Sequence, residues 1–237
     1  MDGPFPPTMV ADIERFFELE ESRINGLGIY HDVFDVDTFF PLQRKNEMRK
    51  MLSRAGGTKP KVIMEIGADK GGGIYHWCKI PGVTNIIACE IRGTPYKHIF
   101  EHHFPDIGFC WLEKSSYEGS TLDRVQEYLE IIGGSNIDVL FIDGDKSAFI
   151  EDFHLYQPLV SDTGLIFMHD IVDDAPKTAF YEVGYQGYNT EVIHDISEYN
   201  ELAQRVKKGY SPVNAYENWL MHWKGCSCGV GVINPRK

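Results

Sequence analysis

Glycines and an acidic residue that could bind a nucleotide follow two apolar runs of this chain. The first run, residues 62–66, leads into a glycine-rich stretch from Gly67 to Gly73, and a later run leads to Glu90. Glycines let the backbone turn tightly and let a ligand approach the main chain. A carboxylate placed like Glu90 can accept hydrogen bonds from the vicinal hydroxyls of a ribose. Together these residues favour a ribose-containing cofactor, although each alone is also explained as a simple turn or a solvated charge.

Two further aspartates could face the crevice in which such a cofactor would bind. Asp143 follows one later apolar run, and Asp170 follows the next. Paired carboxylates repel each other, share a proton or hold a hard divalent cation such as Mg²⁺. The neighbouring Asp173 and Asp174 are better explained as acids at the start of a helix, where they meet the positive end of the helix dipole.

Short apolar runs alternate with longer amphipathic ones after residue 59, and this alternation predicts the elements that position those side chains. The predicted strands are 62–66, 85–91, 108–112, 139–142 and 165–168, with weaker candidates at 190–193 and 229–233. The predicted helices are 72–79, 94–103, 122–132 and 148–159. The pattern is typical of an α/β protein with a doubly wound, mostly parallel sheet. Ligands of such sheets bind beyond the carboxyl ends of the strands.

The N-terminal part of the chain has a different sequence pattern. Residues 1–8 are proline-rich, and residues 10–54 form a helical segment that is interrupted at Gly26–Gly28. We therefore divide the chain into a helical N-terminal segment on the substrate side, residues 1–58, and a cofactor-binding domain, residues 59–237.

The charge composition disfavours some classes of binding partner. There are 23 Lys and Arg against 35 Asp and Glu, a formal charge of -12, so nucleic acid and anionic membranes are not expected partners. No apolar run reaches the ~20 residues of a membrane span, and the N-terminus lacks a signal-peptide pattern, which predicts a cytoplasmic protein. Cys226 and Cys228 form a lone C-x-C pair with no second ligand pair, and we interpret it as structural rather than as a zinc site.

Four motifs in order resemble class I S-adenosylmethionine-dependent methyltransferases. They are Glu65-Ile-Gly with Gly71-Gly72, Glu90 at a strand end, Phe141-Ile-Asp-Gly-Asp-Lys, and the stretch from Tyr156 to Asp170. The pattern is similar to the D-G-D-H/H-D-I group, which is related to catechol and caffeoyl-CoA O-methyltransferases and to the cephalosporin hydroxylase/rhamnosyl O-methyltransferase group. The resemblance covers residues 61–172. It implies a Rossmann-like methyltransferase fold, S-adenosylmethionine as cofactor, O-methylation of a small hydroxylated molecule, and a homodimer as a common assembly.

The resemblance also implies how the cofactor is held. Gly67, Gly71 and Gly72 would lie against its methionine part, with Glu65 near the amino group. Glu90 would hold the ribose. Ser115 or Ser116 would lie near the adenine, although Lys114-Ser-Ser stands where G-x-S is commoner.

For the metal and for catalysis, the resemblance implies that Asp143 contacts both cofactor and metal and that Asp170 is the second metal ligand. The next residue is Ile171 where catechol-type enzymes have an Asn ligand. Whether Mg²⁺ binds therefore stays open, and His169, Asp173 or Asp174 would have to replace the Asn as its third ligand. A hydroxyl nucleophile must lose its proton, so Lys146 with a lowered pKa, or His169, is the predicted base.

Two other functions remain as alternatives. A nicotinamide-dependent oxidoreductase would use the same ribose carboxylate, but the chain has no G-x-G-x-x-G motif. The second alternative is a binding protein that has a methyltransferase fold but no catalytic activity, because a fold alone does not confer activity. We interpret Phe39, Phe40 and Gln43 as a helix face rather than a lid, and Trp219, His222 and Trp223 as packing residues.

Overall fold

The computed structural model describes residues 15, 43–93, 96–222 and 228–235. Their strands are β1 (Val62–Ile66), β2 (Asn85–Cys89), β3 (Gly108–Leu112), β4 (Ile137–Ile142), β5 (Val160–Met168), β6 (Asn189–Ile193) and β7 (Val230–Asn234). Their α-helices are α1 (Lys45–Gly57), α2 (Gly72–Cys78), α3 (Lys97–His103), α4 (Gly119–Ile131), α5 (Phe149–Tyr156), α6 (Asp174–Tyr185), α7 (Ser197–Lys207) and α8 (Ala215–His222). Short 3₁₀ turns at Lys146–Ala148 and Gln157–Leu159 flank α5.

All seven strands form one sheet in the order β3-β2-β1-β4-β5-β7-β6. β1 to β5 pair in parallel, and β7 runs antiparallel between β5 and β6. The strand order reverses at β1, which pairs with β2 on one side and β4 on the other. The predicted doubly wound, mostly parallel sheet is confirmed, and the crevice at its strand ends opens where the order reverses.

Helices cover both faces of the sheet, which explains why β1 is buried along its whole length. On one face, Ile63 of β1 packs in a core with Met51 of α1, Trp77 of α2 and Phe100 of α3. On the other face, helices α4, α5 and α6 pack against the sheet through Val125, Phe153 and Phe180 respectively. None of the helices in the described ranges is long and apolar enough to cross a membrane.

Many element boundaries differ from the sequence predictions by one to three residues, and the differences that matter most are at β2, β5 and the C-terminal helices. β2 ends at Cys89, so Glu90 and the exposed Ile91 lie just beyond the strand. β5 begins five residues earlier than predicted, because Val160 already pairs with Ile137 of β4. The start of α6 at Asp174, with Asp173 as its N-cap, agrees with the expectation for these two acids, but no bounds were predicted for α6, α7 or α8.

Several predictions lie outside the described residues. Among them are Phe39, Phe40, Cys226 and Trp223, together with most of the helical segment 10–54. Within that segment, α1 is described, and its Met48, Met51 and Ala55 are buried against the sheet core. The division at residue 58 stays a prediction.

Candidate functional site

The turn after β1 brings two strand ends into close contact. Gly67 has a φ of 86°, which favours glycine, and a Cβ built on it would lie 2.4 Å from the carbonyl oxygen of Asp143. Gly71, with a φ of 81°, precedes the first residue of α2. Gly67 therefore forms the narrow junction between the β1 and β4 ends, and Gly71 leads the chain from this turn into α2.

Glu65 lies beneath this turn as a buried acid. Its side chain is 2% exposed, and its Oε2 has no hydrogen-bond partner among the described residues. Burial, followed by repulsion from Asp143, raises the pKa of Glu65 well above its ordinary value. Gly73 makes room for the carboxyl group, since a Cβ there would lie 2.3 Å from Glu65 Oε1. A buried acceptor without a partner is costly, so this group is suited to a ligand that brings a donor.

Glu90 is held at the end of β2 by groups of the neighbouring loops. Its Oε2 accepts the backbone N–H of Asp69 at 2.9 Å, and its Oε1 accepts the backbone N–H of Arg92 at 3.0 Å and Arg92 Nε at 3.2 Å. A carboxylate offers about four lone-pair sites, so Oε2 keeps one free for a hydroxyl donor. A second hydroxyl would take the place of the Arg92 Nε bond.

The two serines after β3 are buried and have fixed backbones. Thr121 Oγ1 donates to the Ser115 carbonyl at 2.7 Å, and the Tyr156 hydroxyl donates to the Ser116 carbonyl at 2.5 Å. Both serines line a cavity of about 360 Å³ together with Glu90. The structure thus brings the predicted ribose and adenine residues to one cavity, while their roles stay predictions.

Four charged side chains meet beyond the ends of β4 and β5. His169 Nδ1 lies 2.9 Å from Asp143 Oδ1 and 3.3 Å from Asp170 Oδ1. Lys146 Nζ lies 3.2 Å from Asp143 Oδ1 and also contacts Asp170 Oδ2. The chain turns sharply after β5, because Asp170 has a φ of 54°. This turn directs the second carboxylate back toward the first, as the strand-end argument predicted.

The carboxylates determine the protonation of their partners. Burial alone would lower the pKa of Lys146, but Asp143 and Asp170 raise it above its ordinary value. The same two carboxylates outweigh burial at His169 and raise its pKa well above the ordinary 6.5. A base role for Lys146 requires a lowered pKa, and this arrangement does not provide one. The sequence alone did not show that two carboxylates contact the ammonium group.

Gln43 belongs to the site, although we had interpreted it as part of a helix face. It precedes α1 and is 4% exposed, and its Nε2 donates to Asp143 Oδ2 at 2.7 Å. Its Oε1 is buried without a hydrogen-bond partner in the part of the chain that is described. A contact between residues 100 positions apart leaves no local signal in the sequence.

The charged cluster lines a second cavity, of about 460 Å³. This cavity shares Gly67, Asp69, Asp143 and Gly144 with the first one, so the two meet at the glycine turn. Both volumes lie within the roughly 300–1,000 Å³ of small-molecule sites. The larger cavity is also lined by Glu65, Gly72, Gln43, Trp219 and Cys228. Trp219, which we had interpreted as a packing residue, thus lines the candidate site while stacking on Tyr216.

The carboxylate pair does not fit a Mg²⁺ site as it stands. Protein donors already contact every oxygen of Asp143 and Asp170: Lys146, His169 and Gln43 supply them. Ile171 offers no ligand atom and is buried in the apolar core. The ligand atoms of His169, Asp170 and Cys228 do lie within 4.8 Å of one another, but Asp170 is ion-paired there.

A buried acid behind the smaller cavity gives a stability prediction. Asp152 of α5 is fully buried, and neither carboxylate oxygen has a well-formed hydrogen bond within the described ranges. Burial raises its pKa to about 6, and nearby Ser116 opposes the change only in part. The folded protein therefore keeps this proton up to about pH 6, whereas the unfolded chain loses it near ~3.9. Stability from this group falls as the pH rises from ~4 to ~6.

Asp152→Asn should therefore stabilise the protein more at pH 8 than at pH 5, by about 1 kcal/mol in the free energy of unfolding. Urea denaturation at the two pH values measures the difference. Asp123→Asn, an exposed change on α4, is the control and should show no such dependence. If Asp152→Asn and the unchanged protein differ equally at both pH values, Asp152 does not titrate in this range.

Comparison with known proteins agrees with the fold and the motifs. Residues 64–171 match a family described as a methyltransferase domain. No curated protein sequence matches the chain. An O-methyltransferase from Bacillus cereus, solved in complex with SAH, is similar in structure, with a TM-score of 0.52 and 12% identity over 97% of this chain and 92% of that chain.

A second similar structure is the O-methyltransferase TomG from Streptomyces achromogenes, solved with SAM. Its TM-score is 0.52, with 11% identity over 98% of this chain and 91% of that chain. At such low identity these structures support the fold alone. Residues 64–171 thus match a methyltransferase domain, and the observed strand order agrees with the doubly wound fold of the similar structures.

Proposed function

We propose that this protein is an S-adenosylmethionine-dependent O-methyltransferase that acts on a small hydroxylated molecule. The observation that carries the proposal is the pair of joined cavities, with Glu90 in one and His169 in the other. A nucleoside held in the smaller cavity would extend into the larger one past Gly67, which has no side chain. The methyltransferase match gives no support to the nicotinamide-dependent alternative.

The residues present fit the cofactor. Glu90 keeps an acceptor for a ribose hydroxyl, and Ser115 and Ser116 line the cavity beyond it. Glu65 Oε2 is a buried acceptor without a partner, which suits the amino group of the methionine part. The bound cofactor would supply an electrophilic methyl group on a sulfonium centre.

The larger cavity would hold the methionine part of the cofactor beside Glu65 and the acceptor beside His169. Catalysis of an in-line displacement depends mainly on positioning, and Trp219 gives this cavity an aromatic wall. Asp143 and Asp170 orient His169 through Nδ1, and its Nε2 is buried without a partner among the described residues. Asp143 and Asp170 raise the pKa of His169 and favour its charged form, so the base would be the less populated neutral form, whose Nε2 would accept the hydroxyl proton of the acceptor. A positively charged cofactor nearby favours that neutral form by repulsion.

The setting of the reaction is part of the proposal. The acidic composition disfavours polyanionic acceptors, so a small molecule is the expected acceptor. The homodimer rests only on the resemblance to methyltransferases that are often dimers. Cys78, Cys89, Cys110 and Cys228 are free thiols. Free thiols are typical of reducing compartments, which supports a cytoplasmic location.

Glu90→Gln tests the cofactor site. The change keeps the side-chain size but removes the charge, so S-adenosylhomocysteine should bind about 1.5–3 kcal/mol more weakly, or roughly 10- to 150-fold. Isothermal titration calorimetry measures the affinity. Glu127→Gln, an exposed change on α4 outside both cavities, is the matched control and should bind normally. Equal affinity of Glu90→Gln and the unchanged protein would remove Glu90 from the site.

A further inference from the structure

The contacts of the Asp143 and Asp170 carboxylates leave Lys146 between them. Its Nζ contacts one oxygen of each: Oδ1 of Asp143 at 3.2 Å and Oδ2 of Asp170. Lys146 belongs to a 3₁₀ turn that begins three residues after Asp143, so its short tether places the ammonium group at the mouth of the pair. A single cation that bridges two carboxylates occupies the position of a shared metal ion.

The remaining oxygens are also occupied by donors of the protein. His169 Nδ1 lies against Oδ1 of both aspartates. Gln43 Nε2 donates to Oδ2 of Asp143 at 2.7 Å, the oxygen that neither Lys146 nor His169 contacts. Mg²⁺ and Mn²⁺ need several oxygen ligands with open lone pairs, and they lose hydration reluctantly. A divalent ion would have to displace Lys146 and would still lack a ligand at Ile171.

We propose that Lys146 is the resident cation of this carboxylate pair and that it excludes divalent metals from it. Lys146 is thus a positioning residue: it neutralises Asp143 and Asp170 and keeps them directed at His169. The inference concerns the carboxylate pair alone and does not rest on the proposed methyl transfer. Removal of the ammonium group should turn the pair into a metal site.

Mn²⁺ binding tests this inference, because Mn²⁺ favours the same hard oxygen ligands as Mg²⁺ and is counted directly by electron paramagnetic resonance. The samples are the unchanged protein, Lys146→Gln, Lys146→Gln combined with Asp170→Asn, and Lys177→Gln as a control. Lys177 is an exposed lysine of α6, so its loss makes the same change in net charge. Circular dichroism checks that each variant is folded.

We expect Lys146→Gln to bind one Mn²⁺ at least roughly tenfold more tightly than the unchanged protein, since a like charge has been removed from the pair. The added Asp170→Asn change should abolish the gain, and Lys177→Gln should show none. The inference is overturned if the unchanged protein binds one Mn²⁺ as tightly as Lys146→Gln does. Should Lys146→Gln fail to fold, the unchanged protein decides: Mn²⁺ binding that Asp170→Asn removes contradicts the inference, and absence of binding supports it.

Discussion

Replacement of His169 by glutamine is expected to lower kcat by about 10²- to 10⁴-fold, the usual contribution of general acid–base catalysis. Glutamine keeps a polar group of similar length near Asp143 and Asp170, but it cannot take up a proton. The affinity for S-adenosylhomocysteine should stay within about twofold, because His169 does not line the cavity in which Glu90, Ser115 and Ser116 would hold the nucleoside. Single-turnover methyl transfer and calorimetry measure the two quantities separately.

The matched control for this change is His154→Gln. His154 is an exposed histidine of α5 that contacts Gln186, outside both cavities. Its replacement should leave kcat unchanged. If His169→Gln retains full kcat, or if it loses cofactor affinity and kcat in equal proportion, His169 is not the base.

A methyl group added at Gly67 is expected to destabilise the protein by on the order of 3 kcal/mol and to abolish cofactor binding. Gly67 has a φ of 86°, and its new Cβ would lie 2.4 Å from the carbonyl oxygen of Asp143 and 2.8 Å from the backbone nitrogen of Gly144. Backbone atoms cannot rotate away as a side chain would. Relief of the contact must move β1 and β4 apart at the site.

Gly119→Ala is the control for Gly67→Ala. Gly119 begins α4, and a Cβ there would meet nothing within 4 Å. That variant should be as stable as the unchanged protein or more so, since alanine favours a helix. Urea denaturation and calorimetry compare the two. A Gly67→Ala protein of normal stability and normal affinity would show that this turn tolerates a side chain and does not define the site.

The sheet and the strand-end residues could be predicted because their signals are local. A buried strand such as β1 reads as an unbroken apolar run, and Glu65 stands out in it as the one charged residue. The residues that follow β1, β2, β4 and β5 then meet at one edge by the rules of parallel sheets. This is why Glu90, Asp143 and Asp170 could be assigned to a common crevice.

The C-terminal elements gave weaker signals. Four of the five residues of β6 are exposed, and α7 buries a single residue, Leu202. An element that packs through one or two side chains has no clear apolar period. The predicted strands nearby, 190–193 and 229–233, were found within one residue of β6 and β7, because β-branched residues mark them.

Side-chain pairing at the site was the part that sequence could not supply. The pKa of Lys146 is raised rather than lowered because Asp170, 24 residues away, joins Asp143 at its ammonium group. The three-residue spacing of Asp143 and Lys146 was a usable local signal, since so short a separation lets their side chains meet across the turn after β4. The contact from Gln43 was not, because only the tertiary structure brings it to Asp143.

The central claim is that the joined cavities bind an S-adenosyl compound. Calorimetric titration of the unchanged protein with S-adenosylhomocysteine, and separately with NAD, tests it most directly. Saturable binding of one S-adenosylhomocysteine per chain with no heat from NAD is the result that we predict. Binding of NAD with no response to S-adenosylhomocysteine would contradict the claim and would favour a nicotinamide-dependent enzyme instead.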